Sequence, residues 1–187
     1  TNLEGFSISR LSRLYSVALP ALICTVILDS IGSTINPDMY KGQHFQASDP
    51  IYRFVINLLF SNELWFTAWR AFSNGPFWSL SYEFWYYVIL SWFFFSNSKR
   101  FAFTLIAMII AGPKILLLLP IWLMGLFTYK ISQSLTLSNI QGCILALCPI
   151  LIYIIIRETG LQKFLLTLTI DTLGKDFTHN QLRLSRW

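Results

Sequence analysis

The sequence predicts an all-α fold, a polytopic bundle of transmembrane helices, and three observations carry that expectation. Hydrophobic residues make up 55% of the 187 residues and charged residues only 12%, where a water-facing domain carries about 25% charged residues to wet its surface. Aromatic residues make up 17% of the chain within that hydrophobic share, and the mean hydropathy is +0.55. The apolar residues also fall in helix-length runs parted by turn signals. Too little polar surface remains to cover a soluble globule. A disordered chain, a collagen-like chain and an ordinary cytosolic enzyme are excluded.

The elements follow in order. The chain opens at Thr1 with no basic start, apolar core and cleavage site, so no signal peptide is expected. The stretch Gly5 to Arg13 reads as a loop feeding a helix, behind an expected N-terminal truncation. Leu14 to Leu28 is apolar and short, ending at Asp29. Residues 29–50 hold Gly32, Asn36-Pro37-Asp38, Gly42, His44 and Asp49-Pro50, a loop by its turn signals. Ile51 to Trp69 is interrupted by Arg53 and Glu63 and reads as an interfacial or half-inserted helix. The strongest expected span is Phe77 to Phe95, entered through Asn74-Gly75-Pro76, with proline where its missing N–H costs nothing. Ser96 to Arg100 ends it. A second pass runs from Phe101 to Gly112, a third from Ile115 to Tyr129, and another from Gly142 to Ile156. Leu161 to Ile170 is a weak last candidate. Residues 1–170 thus form the membrane-embedded domain, with 171–187 a polar tail.

Charge adds an orientation. The net charge is +5, but the basic residues are scattered, and no nucleic-acid partner is expected. Counting passes puts Arg10, Arg13, Lys99, Arg100 and Lys130 on one side. The positive-inside bias makes that side cytoplasmic and places 29–76 outside, with Arg53, Arg70, Lys114 and Arg157 running against it. Cys24, Cys143 and Cys148 lack metal or redox spacing and read as small core-like hydrophobes. No internal repeat is visible.

Two features carry possible chemistry. Arg10 and Arg13 are three residues apart, so on a helix they share a face. Their guanidinium forks match phosphate oxygens, which gives a clamp for a phosphate-bearing ligand. Basic residues at a helix end also hold lipid headgroups, and spacing alone leaves both readings open. The second feature is Gly75-Pro76-Phe77-Trp78-Ser79-Leu80-Ser81-Tyr82-Glu83. Ser79, Tyr82, Glu83 and Tyr86 fall on one expected polar stripe. Glu83 lies about 10 Å along the helix from Pro76, beyond the reach of the helix dipole. A carboxylate at that depth costs about 2.5–3.5 kcal/mol unless it meets a partner or a water-filled cavity. It is either a braced structural acid or the wall of a polar active-site cavity. His44 and His179 sit beside no acid or nucleophile at a telling spacing and read as surface residues. No GxSxG, HExxH, P-loop or GxGxxG motif is present.

The two features occur together, in this order, in one family. Ser9-Arg10-Leu11-Ser12-Arg13-Leu14-Tyr15 resembles the "RxxRiyP" entry to an early helix of the acyltransferase 3 family, bacterial membrane O-acyltransferases of surface polysaccharides. Asn74 to Tyr87 looks like its "WSLsvEexFY" motif, and Leu119-Pro120-Ile121-Trp122-Leu123-Met124-Gly125 is similar to its "lpxFlxG" helix. The resemblance covers about residues 5–158. Ser16 stands where the family has proline. It implies an incomplete bundle, the middle portion of a larger acyltransferase domain in the bacterial inner membrane. It further implies transfer of an acyl group, in the first place acetyl, from cytoplasmic acyl-CoA to a hydroxyl of a cell-surface or lipid-linked glycan. Acyl-CoA is then a substrate, and no bound cofactor or metal is expected. Arg10 and Arg13 would hold its phosphates, while Trp78, Ser79, Tyr82 and Glu83 would line or brace the cavity. The family's catalytic His lies on a helix ahead of the RxxR segment, so no catalytic residue is assigned here, and the expected fragment is inactive alone. The rival class is a non-enzymatic membrane module, such as part of a polysaccharide flippase or permease.

Overall fold

In a computed structural model, residues 3–40, 49–95, 99–135, 138–175 and 177 are described. His44 and His179 lie outside them, as does most of the polar tail. Among the described residues the fold is all-α, with seven α-helices and two short 3-10 turns. The chain divides into two compact units, residues 1–119 and 120–187.

The first unit begins with α1 (Leu3–Ile35), one helix of 33 residues. This corrects both the expected loop before Leu14 and the expected stop at Asp29. Polar residues in its last turns do not break it, because their hydroxyls bond back to the helix. Ser30 Oγ donates to the Val26 carbonyl at 2.7 Å and Thr34 Oγ1 to that of Ile31 at 2.7 Å. Leu14, Ala18, Leu22 and Thr25 are its buried stripe, at the three-and-four spacing of one helical face. A 3-10 turn, Pro37–Tyr40, follows.

Helix α2 (Pro50–Leu58) has 9 residues rather than the longer helix expected to Trp69. Asp49 caps it, accepting from the Ile51 and Tyr52 amides, with proline in the first turn. Residues 59–74 then form an irregular strap. Phe60, Trp65 and Phe72 have positive φ of 52°, 53° and 55°, a region side chains with a Cβ rarely enter. The strap ends in a 3-10 turn, Gly75–Phe77, that feeds α3 (Trp78–Phe95). The expected turn and proline entry are therefore found. Leu14, Ala18 and Leu22 of α1 pack with Phe60, Ala71 and Phe77 in the core of this unit.

Helix α4 (Arg100–Ala111) has 12 residues and is about 18 Å long, well short of a hydrocarbon core of about 30 Å. It is no full pass on its own, which removes the basis for counting sides through it. Helix α5 (Pro113–Ser134) follows.

In the second unit α6 (Asn139–Glu158) opens with a capping box between Ser138 and Gln141. Gly160 then leads into α7 (Leu161–Leu173). Cys143 and Cys148 on α6, like Cys24 on α1, are exposed and not core residues.

Among the described residues, three helices are long and apolar enough to cross a membrane: α1, α5 and α6. Helix α3, the strongest span expected, is not among them, although it has 18 residues. Its Trp, Tyr, Ser and Glu side chains lower its hydropathy.

Candidate functional site

The site is built where α1 meets α3. Phe6 and Arg10 continue the buried stripe of α1 by two turns, so Arg10 points at α3 instead of standing clear of it. Its guanidinium carbon lies 5.4 Å from the Phe6 ring centre and 5.3 Å from that of Tyr87. Such a contact holds the cation over the rings, and a partly desolvated pair is worth about 0.5–2 kcal/mol. Among the described residues, no hydrogen bond or ion pair engages the side chain of Arg10 or Arg13. Tyr87 reaches the other way, and its hydroxyl donates to Glu83 Oε1. One aromatic residue thus joins the Arg10 cation to the Glu83 carboxylate. A cleft of about 120 Å³ opens beside it, bounded by Phe6, Arg10, Leu14, Phe84, Tyr87 and Val88 among others.

The expected stripe on α3 divides into two ridges. Ser79, Glu83 and Tyr87 form one, and Tyr82 and Tyr86 the next. Ser79 is exposed and donates only to the Pro76 carbonyl, at 3.0 Å. Glu83 is half-buried. Tyr82 is buried and meets Trp78 edge to face at 5.1 Å. Tyr86 is buried and donates to the Ile115 carbonyl at 2.9 Å. The structure brings Arg10 and Glu83 to one place. It leaves Arg13 exposed, one turn further along α1, and sets Trp78, Ser79 and Tyr82 apart from the Arg10 cleft. Arg10 and Arg13 are therefore unequal, one seated on rings and the other in the open.

Behind α3 lies a buried polar layer that the sequence reading did not assemble. Glu63 and Lys114 form an ion pair with both side chains only 4% exposed. Lys114 also donates to the Thr67 carbonyl at 2.6 Å. Ser81, fully buried, bonds to Asn62 Oδ1, and Trp85 Nε1 donates to the Phe60 carbonyl at 3.0 Å. Each bond ties the strap to α3 or α5. At its far end the strap is held by α1, where Asp29 Oδ2 accepts from the Ser73 amide at 2.8 Å. A signal for the pair was present: Glu63 and Lys114 are opposite charges stranded in apolar stretches, and each needs a partner. Tyr87 had no such mark.

This arrangement can fix an anion beside an apolar hollow and hold a carboxylate about one helical turn away. Among the described residues no cluster of His, Cys, Asp and Glu could hold a metal ion. No protein-family model matches the chain, and no curated protein or solved structure matches it.

Proposed function

We propose that this chain is part of a bacterial multi-pass inner-membrane O-acyltransferase that moves an acetyl group from cytoplasmic acetyl-CoA to a hydroxyl of a cell-surface glycan. The observation that carries the reading is the Arg10–Tyr87–Glu83 chain. Segments more than 70 residues apart in sequence, each resembling a motif of the acyltransferase 3 family, meet through one hydroxyl and one ring.

In this reading Arg10 and Arg13 bind phosphate oxygens of the donor through their guanidinium N–H donors. Glu83, held by Tyr87, lines the path beyond. A general base takes the proton of the acceptor hydroxyl. The acceptor oxygen bonds to the thioester carbonyl carbon, the C–S bond breaks, and CoA leaves as the thiolate. The family resemblance puts that base on a His of a preceding helix, and no described residue is given the role.

Titration of the detergent-solubilised protein with acetyl-CoA tests the donor site without requiring turnover. Charge-assisted hydrogen bonds are worth about 1.5–3 kcal/mol, so Arg10→Ala and Arg13→Ala should each weaken binding by roughly 10- to 150-fold. Equal affinity in the parent and both variants would return the arginines to lipid anchoring and overturn the reading.

A further inference from the structure

The cleft beside Arg10 is apolar on the walls that matter. Phe6 and Leu14 of α1 and Phe84 and Val88 of α3 line it, together with Arg10 and the hydroxyl-bearing Ser7 and Ser91. Its volume is about 120 Å³, whereas a pocket enclosing a drug-sized ligand takes about 300–1,000 Å³. It cannot enclose CoA. It can enclose one compact apolar group, since a dry cavity of about 150 Å³ admits benzene. The occupant must also carry an anion beside that group, because the guanidinium adjoins the cleft directly.

The donor contains one segment of this shape. Between its diphosphate and its first amide lies a branched carbon bearing two methyl groups, a single methylene away from the phosphate ester oxygen. The adenine and ribose are polar and too large. The acyl group and the thioester lie a full pantetheine arm away from the phosphates, too far to share the cleft with them. We infer that the cleft between Phe6, Leu14, Phe84 and Val88 is a subsite for the dimethyl-bearing pantoyl segment of acyl-CoA, with Arg10 on the adjoining diphosphate. The subsite rests on the acyl-CoA reading above and deepens it. It also separates the duties of the two arginines. Arg10, fixed on two rings, sets the position of the diphosphate, while exposed Arg13 adds charge.

Three probes test it by titration: acetyl-CoA, 4′-phosphopantetheine, which keeps the dimethyl segment, and 3′-phospho-ADP, which lacks it. Val88→Phe fills the cleft, and Val88→Ala enlarges it without straining the helix. A methylene's worth of apolar burial is about 0.8 kcal/mol, or about fourfold in affinity. Val88→Phe should therefore weaken acetyl-CoA and 4′-phosphopantetheine by about tenfold or more, and Val88→Ala by about fourfold. Neither should change 3′-phospho-ADP beyond twofold. Should Val88→Phe fail to fold, the Val88→Ala values decide the question alone. Unchanged 4′-phosphopantetheine binding in the variants, with acetyl-CoA still bound by the parent, overturns the subsite and spares the donor reading. No acetyl-CoA binding by the parent overturns both. Protection of the cleft by phosphatidylglycerol in nanodiscs, with no competition from acetyl-CoA, assigns it to a lipid and likewise overturns the proposal.

Discussion

Helices α3 and α6 are close in length, 18 and 20 residues, and opposite in what surrounds them. Helix α3 buries Ser81, Tyr82, Tyr86, Ile89 and Ser91, and its polar groups bond to the strap and to α5. Helix α6 is apolar on every side, and no residue of its membrane-length stretch is buried. A helix that is hydrophobic all round belongs in a large core or in lipid. The same length thus serves two purposes. Helix α6 has the composition of a span, and α3 gives up hydropathy for side chains that can hold a site. In this chain the candidate site lies where the hydropathy is diluted.

The sharpest break in that comparison is the buried ion pair. Removing one partner of such a pair leaves an uncompensated charge, which costs about 3–5 kcal/mol. Glu63→Ala and Lys114→Ala should each collapse the yield and thermal stability of the purified protein, and Glu63→Leu combined with Lys114→Met should recover much of both. The basic residue closing α6 makes the contrast, since Arg157→Ala should leave the melting temperature unchanged.

The glycines sharpen it next. Gly112 has φ of +82°, and a Cβ there would lie 2.7 Å from the Trp65 Cα. That contact with backbone cannot be relieved by a rotamer change. Gly112→Ala should destabilise by at least about 1–3 kcal/mol, the cost of holding a disfavoured backbone conformation. A Cβ at Gly142 on α6 meets nothing within 4 Å. Gly142→Ala should stabilise by about 0.5–1 kcal/mol, since glycine inside a helix is the poorer residue. Thermal melts of the two variants should therefore move in opposite directions.

Tyr87→Phe is the mildest destabilising change of the set. It keeps the ring beside Arg10 and removes the bond to Glu83, worth about 1 kcal/mol. The melting temperature should fall by a few degrees, with a larger loss in acetyl-CoA affinity than in stability.

Much of the fold was legible. The turn at Asn74-Gly75-Pro76 and the helix after it were marked by residues whose backbone preferences are strong, and the structure has both. The reach of α1 past Asp29 was not, because Ser30, Ser33 and Thr34 look like loop residues until their hydroxyls bond back to the helix. The irregular strap was hidden for a related reason: its apolar residues suit a helix, and bonds to residues distant in sequence, such as Glu63 to Lys114 and Asn62 to Ser81, stabilise another path. In the site, the arginines and Glu83 were found as residue types. Their meeting was not, since 3.6-residue periodicity names a face without naming its neighbour. It also merged two ridges of α3, and so favoured Ser79 over buried Ser81.

The central claim is that Arg10 and Glu83 belong to one donor site through Tyr87, and a double-mutant cycle on acetyl-CoA binding tests it most directly. Arg10→Ala, Glu83→Gln and the double variant are titrated against the parent. Residues in one network show interaction energies of about 0.5–3 kcal/mol, whereas separate sites add within about 0.3–0.5 kcal/mol. The account predicts that the double variant binds acetyl-CoA no more than about threefold worse than Arg10→Ala alone, because the second change acts on a chain already broken. Losses that simply add, or an Arg10→Ala variant with the affinity of the parent, would contradict it.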